Sequence, residues 1–289
     1  MQTRALLPLL LALLVGCGGA VPPQLDTSRS KPARVVSLDL CADQYVLKLV
    51  DRERILAVSP RATADFSFMR DEAEGLPTVR AVAEDVLVLK PDLVVRAYGG
   101  GPGAADFFKG AGIPVVTVGW ASDIATVIEV IRSVAAGLSE PERGRQLIAE
   151  MKQRLEAIPA AAGKRSALYM TPSGVTTGPG SLVHEIMVAA GLSNFQLQSG
   201  WNPLPLERLA YETPELIAAA FFDSRTSHPD GWTPMRHPVA REALEGHSTV
   251  PIKGAWTSCA GWYLMNAVEA LAAARTQETD DGSAARPEQ

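Results

Sequence analysis

The sequence predicts an α/β protein made of two parallel-sheet lobes, on three observations. Short, continuously apolar segments alternate with stretches of helical periodicity, the pattern of a parallel sheet covered on both faces. That alternation runs from residue 34 to about residue 138 and restarts after Pro159. An eleven-residue block also recurs at a matching place in each half, at residues 84–94 and 207–217.

In the first half, residues 34–38 (Arg-Val-Val-Ser-Leu) form the first strand, and helical periodicity follows over 43–50. Further strands fall at 54–58, 93–95 and 113–118, each rich in β-branched residues. The second half offers a strand at 167–170, a helix at 181–190 and a helix-to-strand unit at 216–222. A strand at 249–252 then leads into a last helix from about Trp262 to Ala273.

A well-marked helix separates the halves. Ser139 stands at the cap position, Glu142 completes a capping box, and Pro141 falls in the first turn, where a missing N–H costs nothing. Leu147, Ile148, Met151, Leu155 and Ile158 recur at helical spacing and Pro159 ends the run. A helix over 139–158 would be a rod of roughly 28 Å at about 1.5 Å per residue. Such a rod either spans two lobes or lies on the surface of one.

The repeated block fixes a common register. Each copy has a Glu, an aliphatic helical turn, a Pro seven residues after the Glu (Pro91, Pro214), an acidic residue and a strand. Proline ends the helix and pushes its neighbour toward extended geometry, so helix and strand are spaced alike in both halves. Glu84 and Glu207 therefore begin equivalent helices. They either stabilise the positive helix ends, by about 0.3–1 kcal/mol each, or present matched charges to a partner.

The first residues read as an export signal. Arg4 precedes an apolar run over 5–15, too short for roughly 30 Å of hydrocarbon but suited to a secretory signal. It ends in Leu14-Val15-Gly16-Cys17, which resembles the lipobox of bacterial lipoproteins, in which the Cys is acylated and becomes the mature terminus. The alternatives are an ordinary signal peptide cut near Gly18-Gly19-Ala20, or a buried helix. Burial fits poorly with Gly18, Gly19, Pro22, Pro23 and the polar residues that follow, which read as a tether. The expected organisation is a signal over 1–16, a tether over 17–33, a first lobe over 34–138 and a connecting helix over 139–158. A second lobe over 159–275 and a disordered polar tail over 276–289 complete it. The net charge of −5, without clustered Lys and Arg, argues against nucleic acid as a partner.

Five segments in order carry a family resemblance: 34–38, 84–95, 112–115 (Gly-Ile-Pro-Val), 177–181 (Thr-Gly-Pro-Gly-Ser) and the block at 207. Together they resemble the class III periplasmic solute-binding proteins, which serve ABC importers of ferric siderophores and vitamin B12. The resemblance implies two lobes joined by one long helix, with little hinge closure, and a ligand cleft between them. It implies a periplasmic monomer that holds a metal chelate as cargo, with no resident cofactor; the lipobox resemblance adds the lipid anchor. It also implies that one Glu on each lobe docks against arginines of an inner-membrane permease, here Glu84 and Glu207.

Ligands of open α/β sheets bind beyond the carboxyl ends of the strands. The segments expected there include 39–43, 96–100, 119–120, 171–174, 228–232 and 255–259. Large rigid aromatic rings suit a flat chelate. The candidate contacts are Tyr98, Trp201 and Trp256, then Trp120 and Trp232, with Arg96 as a partner for a ligand carboxylate or phosphate. Beyond Cys17, only Cys41 and Cys259 remain, each at the start of a helix after a strand. They either pair across the lobes or stay separate; a Cα separation above about 7 Å would exclude a bridge.

Rival functions leave weaker marks. Gly99-Gly100-Gly101-Pro102-Gly103 lacks the Gly-Lys-Ser/Thr of a phosphate loop. The four histidines show no metal-binding spacing, and no Gly-x-Ser-x-Gly elbow suggests a hydrolase. A non-enzymatic binder is the expectation. A two-lobed lipoprotein for a nonmetal solute or another protein is the alternative, and a secreted hydrolase the least supported.

Overall fold

The computed structural model describes residues 31–161, 163, 165–222 and 233–281. The signal, Cys17, the tether up to residue 30, His228, Trp232 and the last eight residues lie outside the described residues.

The first lobe runs β1 (Val35–Ser37), α1 (Leu40–Leu49), β2 (Ile55–Ala57), α2 (Arg70–Ala73), α3 (Ala83–Val88), β3 (Leu93–Arg96), α4 (Ala104–Gly110) and β4 (Val115–Thr117). Helices α5 (Ile124–Gly137) and α6 (Pro141–Glu156) follow. The second lobe holds β5 (Arg165–Met170), β6 (Val175–Thr177), α7 (Leu182–Ala189), β7 (Leu192–Asn194), β8 (Trp201–Pro203) and α8 (Leu206–Leu209). It closes with β9 (Leu216–Ala220), α9 (Pro238–Gly246), β10 (Thr249–Ile252) and α10 (Met265–Asp281). Two four-stranded parallel sheets result, ordered β2-β1-β3-β4 and β10-β9-β5-β7, as the alternating pattern predicts. A small antiparallel pair, β6-β8, departs from that pattern. Its strands, Val175–Thr177 and Trp201–Pro203, lack the continuous apolar run that marks the parallel strands.

Side chains of a strand alternate between faces, and here the alternation divides the core. Val35, Leu93 and Val95 point to one face of the first sheet, Val36 and Val94 to the other. In the second sheet Ala167, Tyr169, Leu216 and Ala218 take one face, while Leu168, Met170, Ile217 and Ala219 take the other. The first-named face of each sheet feeds a single continuous core, shared with α1, α5, α6, α7 and α10. Each outer face has a separate, smaller cluster. The two lobes are thus welded through common apolar packing.

One helix joins the lobes, as expected: in α6 Arg143 donates to the Leu49 carbonyl of the first lobe at 2.8 Å, and Arg154 pairs with Glu269 of the second at 2.7 Å. α6 packs along α5, and Gly144 permits the close crossing, since a Cβ there would sit 2.4 Å from the Ala135 Cβ. Three other expectations need correction. The capping box does not form. Ser139 has φ 59°, and the helix starts after Glu140, with Pro141 in the first turn as expected. Glu140 is buried because it pairs with Lys31 at 2.8 Å and Arg54 at 2.5 Å. Charge pairing, rather than local capping, sets that end.

The tether also ends early, because the Ala33 amide donates to Asp92 at 2.9 Å and Lys31 is held by Glu140. At the other terminus α10 continues past Thr276 to Asp281. No Gly or Pro interrupts the Ala-rich run before Gly282. Among the described residues no helix is long and apolar enough to cross a membrane.

Candidate ligand-binding site

The carboxyl end of the first sheet is organised by one buried aspartate. Asp39 caps α1, accepting from the Ala42 amide at 3.0 Å. Its other oxygen accepts from the amides of Ala97, Tyr98 and Gly99 at 2.7, 3.0 and 2.8 Å. The loop after β3 is therefore tied to the start of α1. Gly99 is required there, since a Cβ would lie 2.7 Å from the Leu38 carbonyl oxygen. Arg96 holds the same loop from its carbonyl side, donating to Gly99 at 2.7 Å and Gly101 at 2.9 Å. Two of its nitrogens thus brace the loop that carries Tyr98.

Tyr98 stands at the tip of this braced loop, 57% exposed. Partial burial, with Asp39 beside it, raises its phenol above the usual value, and the nearby Arg61 guanidinium opposes the shift. The phenol is a neutral hydrogen-bond donor at neutral pH. Trp120, beyond the edge strand β4, is almost fully exposed.

Beneath this surface α1 carries a second buried carboxyl. Asp43 accepts from the Ser59 amide at 3.0 Å and from its hydroxyl at 2.5 Å. Burial outweighs these bonds and pushes its pKa up to about 6. Gln44, also buried, donates to the Ser67 hydroxyl and accepts from the Met69 amide, fixing the loop after β2.

In the second lobe Trp201 begins β8, opposite Thr177 of β6. Its half-exposed ring meets Tyr169 edge-on at 6.2 Å. Tyr169 is buried, which pushes its phenol up to about 12. The unforeseen β6-β8 pair is thus what fixes the Trp201 backbone. Trp256 lies in a 3₁₀ turn after β10, half-buried against the common core, with the Lys253 ammonium 5.6 Å from its ring centre. Trp262 is core: it packs edge-on with Tyr45 and Tyr263.

The two sets of loops meet directly. Ser258 donates to the Phe66 carbonyl at 2.8 Å, and Tyr45 donates to the Ala260 carbonyl at 2.7 Å. Cys41 and Cys259 form a disulfide between the lobes, with Cα atoms 5.5 Å apart. The structure thus selects pairing over separate thiols. It also brings in two basic groups that sequence reasoning passed over. Arg61 lies 5.9 Å from the Phe66 ring centre and Lys253 stacks on Trp256, and both are exposed. Neither stands in a motif, so only the junction of the loops singles them out.

Glu84 and Glu207 lie at the same end of their sheets. Each is the second residue of its helix and exposed. The Ala81 carbonyl borders Gly100, and the Leu204 amide donates to the Gly174 carbonyl at 3.0 Å, so both helices start beside strand-end turns. Among the described residues no group of three His, Cys, Asp or Glu side chains is placed to hold a metal ion.

This chain matches the model of the family described as periplasmic binding protein over residues 35–226. It belongs to that family. Among its relatives, a cobalamin-binding protein of Halobacterium salinarum is 26% identical over 201 residues, covering 66% of this chain and 54% of the relative. The match thus spans about half the length of that protein. An uncharacterized ABC transporter substrate-binding lipoprotein of Bacillus subtilis, YvrC, is 23% identical, with 85% of this chain and 81% of that one covered. The fold is shared with a periplasmic heme-binding protein of Pseudomonas aeruginosa at a TM-score of 0.62 and 20% identity, covering 89% and 95% of the two chains. The vitamin B12-binding protein BtuF of Vibrio cholerae gives a TM-score of 0.60 at 16% identity, covering 86% and 98%. The fold of this periplasmic binding protein is therefore the two-lobed α/β architecture read from its sequence.

Proposed function

We propose that this periplasmic binding protein is the capture component of an ABC importer, carrying a metal chelate of the corrinoid or ferric-siderophore type to an inner-membrane permease. The observation that supports the reading is that strand-end loops of both lobes, joined to one another by a disulfide and hydrogen bonds, carry exposed or half-exposed aromatic side chains. Tyr98 stands on one lobe, Trp201 and Trp256 on the other, with loops hydrogen-bonded and covalently bridged between them. Flat rings held in place lose little entropy on binding a large ligand. Arg61 and Lys253 flank that surface and suit peripheral carboxylates or a phosphate better than the braced Arg96. The cobalamin-binding relatives favour a corrinoid.

The remaining assignments belong to the same proposal. Glu84 and Glu207 dock on the permease, the chain works as a monomer without a resident cofactor or catalytic activity, and acylated Cys17 anchors it in the periplasm. Trp120 and Trp232 are further ligand contacts. Titrating the purified protein with cyanocobalamin, hemin and a ferric hydroxamate, followed by tryptophan fluorescence, tests the capture role. Saturable quenching by one of them, with the chelate recovered unchanged, supports it; no response to any overturns it. A Glu84→Gln, Glu207→Gln double variant should keep its affinity within about twofold while uptake by cells collapses. Cys17→Ala should release the protein from the membrane fraction.

A further inference from the structure

The internal repeat carries more than two glutamates. Four residues after Glu84 stands Val88, and four after Glu207 stands Tyr211. Residues four apart share a helix face, about 40° from one another, while residues two apart lie on opposite sides. The structure follows that rule in both lobes. Val86 and Leu209, two residues after each Glu, are buried. Val88 and Tyr211 are 78% and 91% exposed, among the most exposed large apolar side chains of the described residues. The helical path extends to Tyr211, as the Glu212 amide donates to the Arg208 carbonyl at 2.8 Å.

Charge repeats along with shape. The carboxylates near each Glu are already paired, Asp85 with Arg80 at 2.7 Å and Glu212 with Arg208 at 2.6 Å. Glu84 and Glu207 have no partner among the described residues. Each lobe thus offers one unpaired carboxylate with a bare apolar side chain one turn away. Neither Val88 nor Tyr211 packs against the fold, so the folding of each lobe does not account for them.

Resting on the proposed permease docking, we infer that the docking footprint on each lobe is a Glu-plus-apolar pair, Glu84 with Val88 and Glu207 with Tyr211. A partner that reads the same pair twice presents the same surface twice. The occupant is therefore a dimeric permease, each subunit offering a basic side chain beside an apolar contact. The carboxylates steer and orient, while the apolar residues exclude water around the ion pair and strengthen it.

The test places a photoreactive phenylalanine analogue at position 88 or 211 of the full-length chain in its native host. A control probe replaces the exposed Asp71. Adducts from both test positions to an ABC permease subunit, identified by mass spectrometry, at yields about tenfold above the control support the footprint. A general amine cross-linker is applied in parallel to the unmodified protein. If it captures the permease while positions 88 and 211 do not, the footprint is wrong and the docking reading stands. Reaction at only one position overturns the paired footprint. If neither approach captures a permease subunit, docking itself fails and the inference with it.

Discussion

Removing the bridge between the lobes separates what the disulfide does from what the shared core does. Cys41 and Cys259 are 218 residues apart in sequence. Cross-linking a loop of that length lowers the unfolded-state entropy by about 18 cal/mol/K, or about 5 kcal/mol at 25 °C, on the chain-entropy model. The native state has less need of the bond. The continuous core, the Tyr45–Ala260 and Ser258–Phe66 hydrogen bonds and the stacked Phe68–Tyr263 rings all join the lobes without it. A Cys41→Ala, Cys259→Ala variant should therefore lose about 3–5 kcal/mol in urea unfolding, with a larger m-value because its unfolded chain expands further. Its radius of gyration by small-angle scattering and its ligand affinity should match the parent. A loss under about 1 kcal/mol would refute the unfolded-state argument. An expanded folded state would refute the claim that the core and these contacts keep the lobes together without the bond.

Asp43→Asn should stabilise the protein at neutral pH. The folded-state pKa of Asp43 is raised from 3.8 to about 6, so its favourable contribution is complete below pH 3.8 and is lost as pH rises through about 6. That difference is about 3 kcal/mol, and urea midpoints measured from pH 4 to 7 should fall for the parent and flatten for the variant. Asp39→Ala should cost about 3 kcal/mol or more, because four amides lose their acceptor, three of them in the Tyr98 loop. Ligand affinity should fall with it, and a variant of parental stability in urea would count against the clamp. Trp201→Ala and Trp256→Ala should each weaken chelate binding roughly tenfold without changing the transport-competent surface; titration calorimetry decides, and unchanged affinity in both would move the ligand elsewhere.

Much of this protein is legible along the chain because its strands are buried on both faces. Apolar runs such as 35–37 and 93–95 need no partner to be recognised, and the prolines at 91 and 214 mark where each helix gives way to a strand. The equivalence of Glu84 and Glu207 is likewise a property of sequence spacing, and the structure places both as the second residue of a short helix. Tertiary structure alone decided the rest. Sequence left Cys41 and Cys259 open because a bridge depends on the distance between two lobes, which no local pattern encodes. That Arg96 braces its own loop through the Gly99 and Gly101 carbonyls is likewise a product of the folded chain. Glu140 replaced Ser139 at the head of α6 because two cations distant in sequence converge on it. Periodicity is a local property and fixes elements; pairing, bracing and the meeting of loops arise only when the chain has folded back on itself.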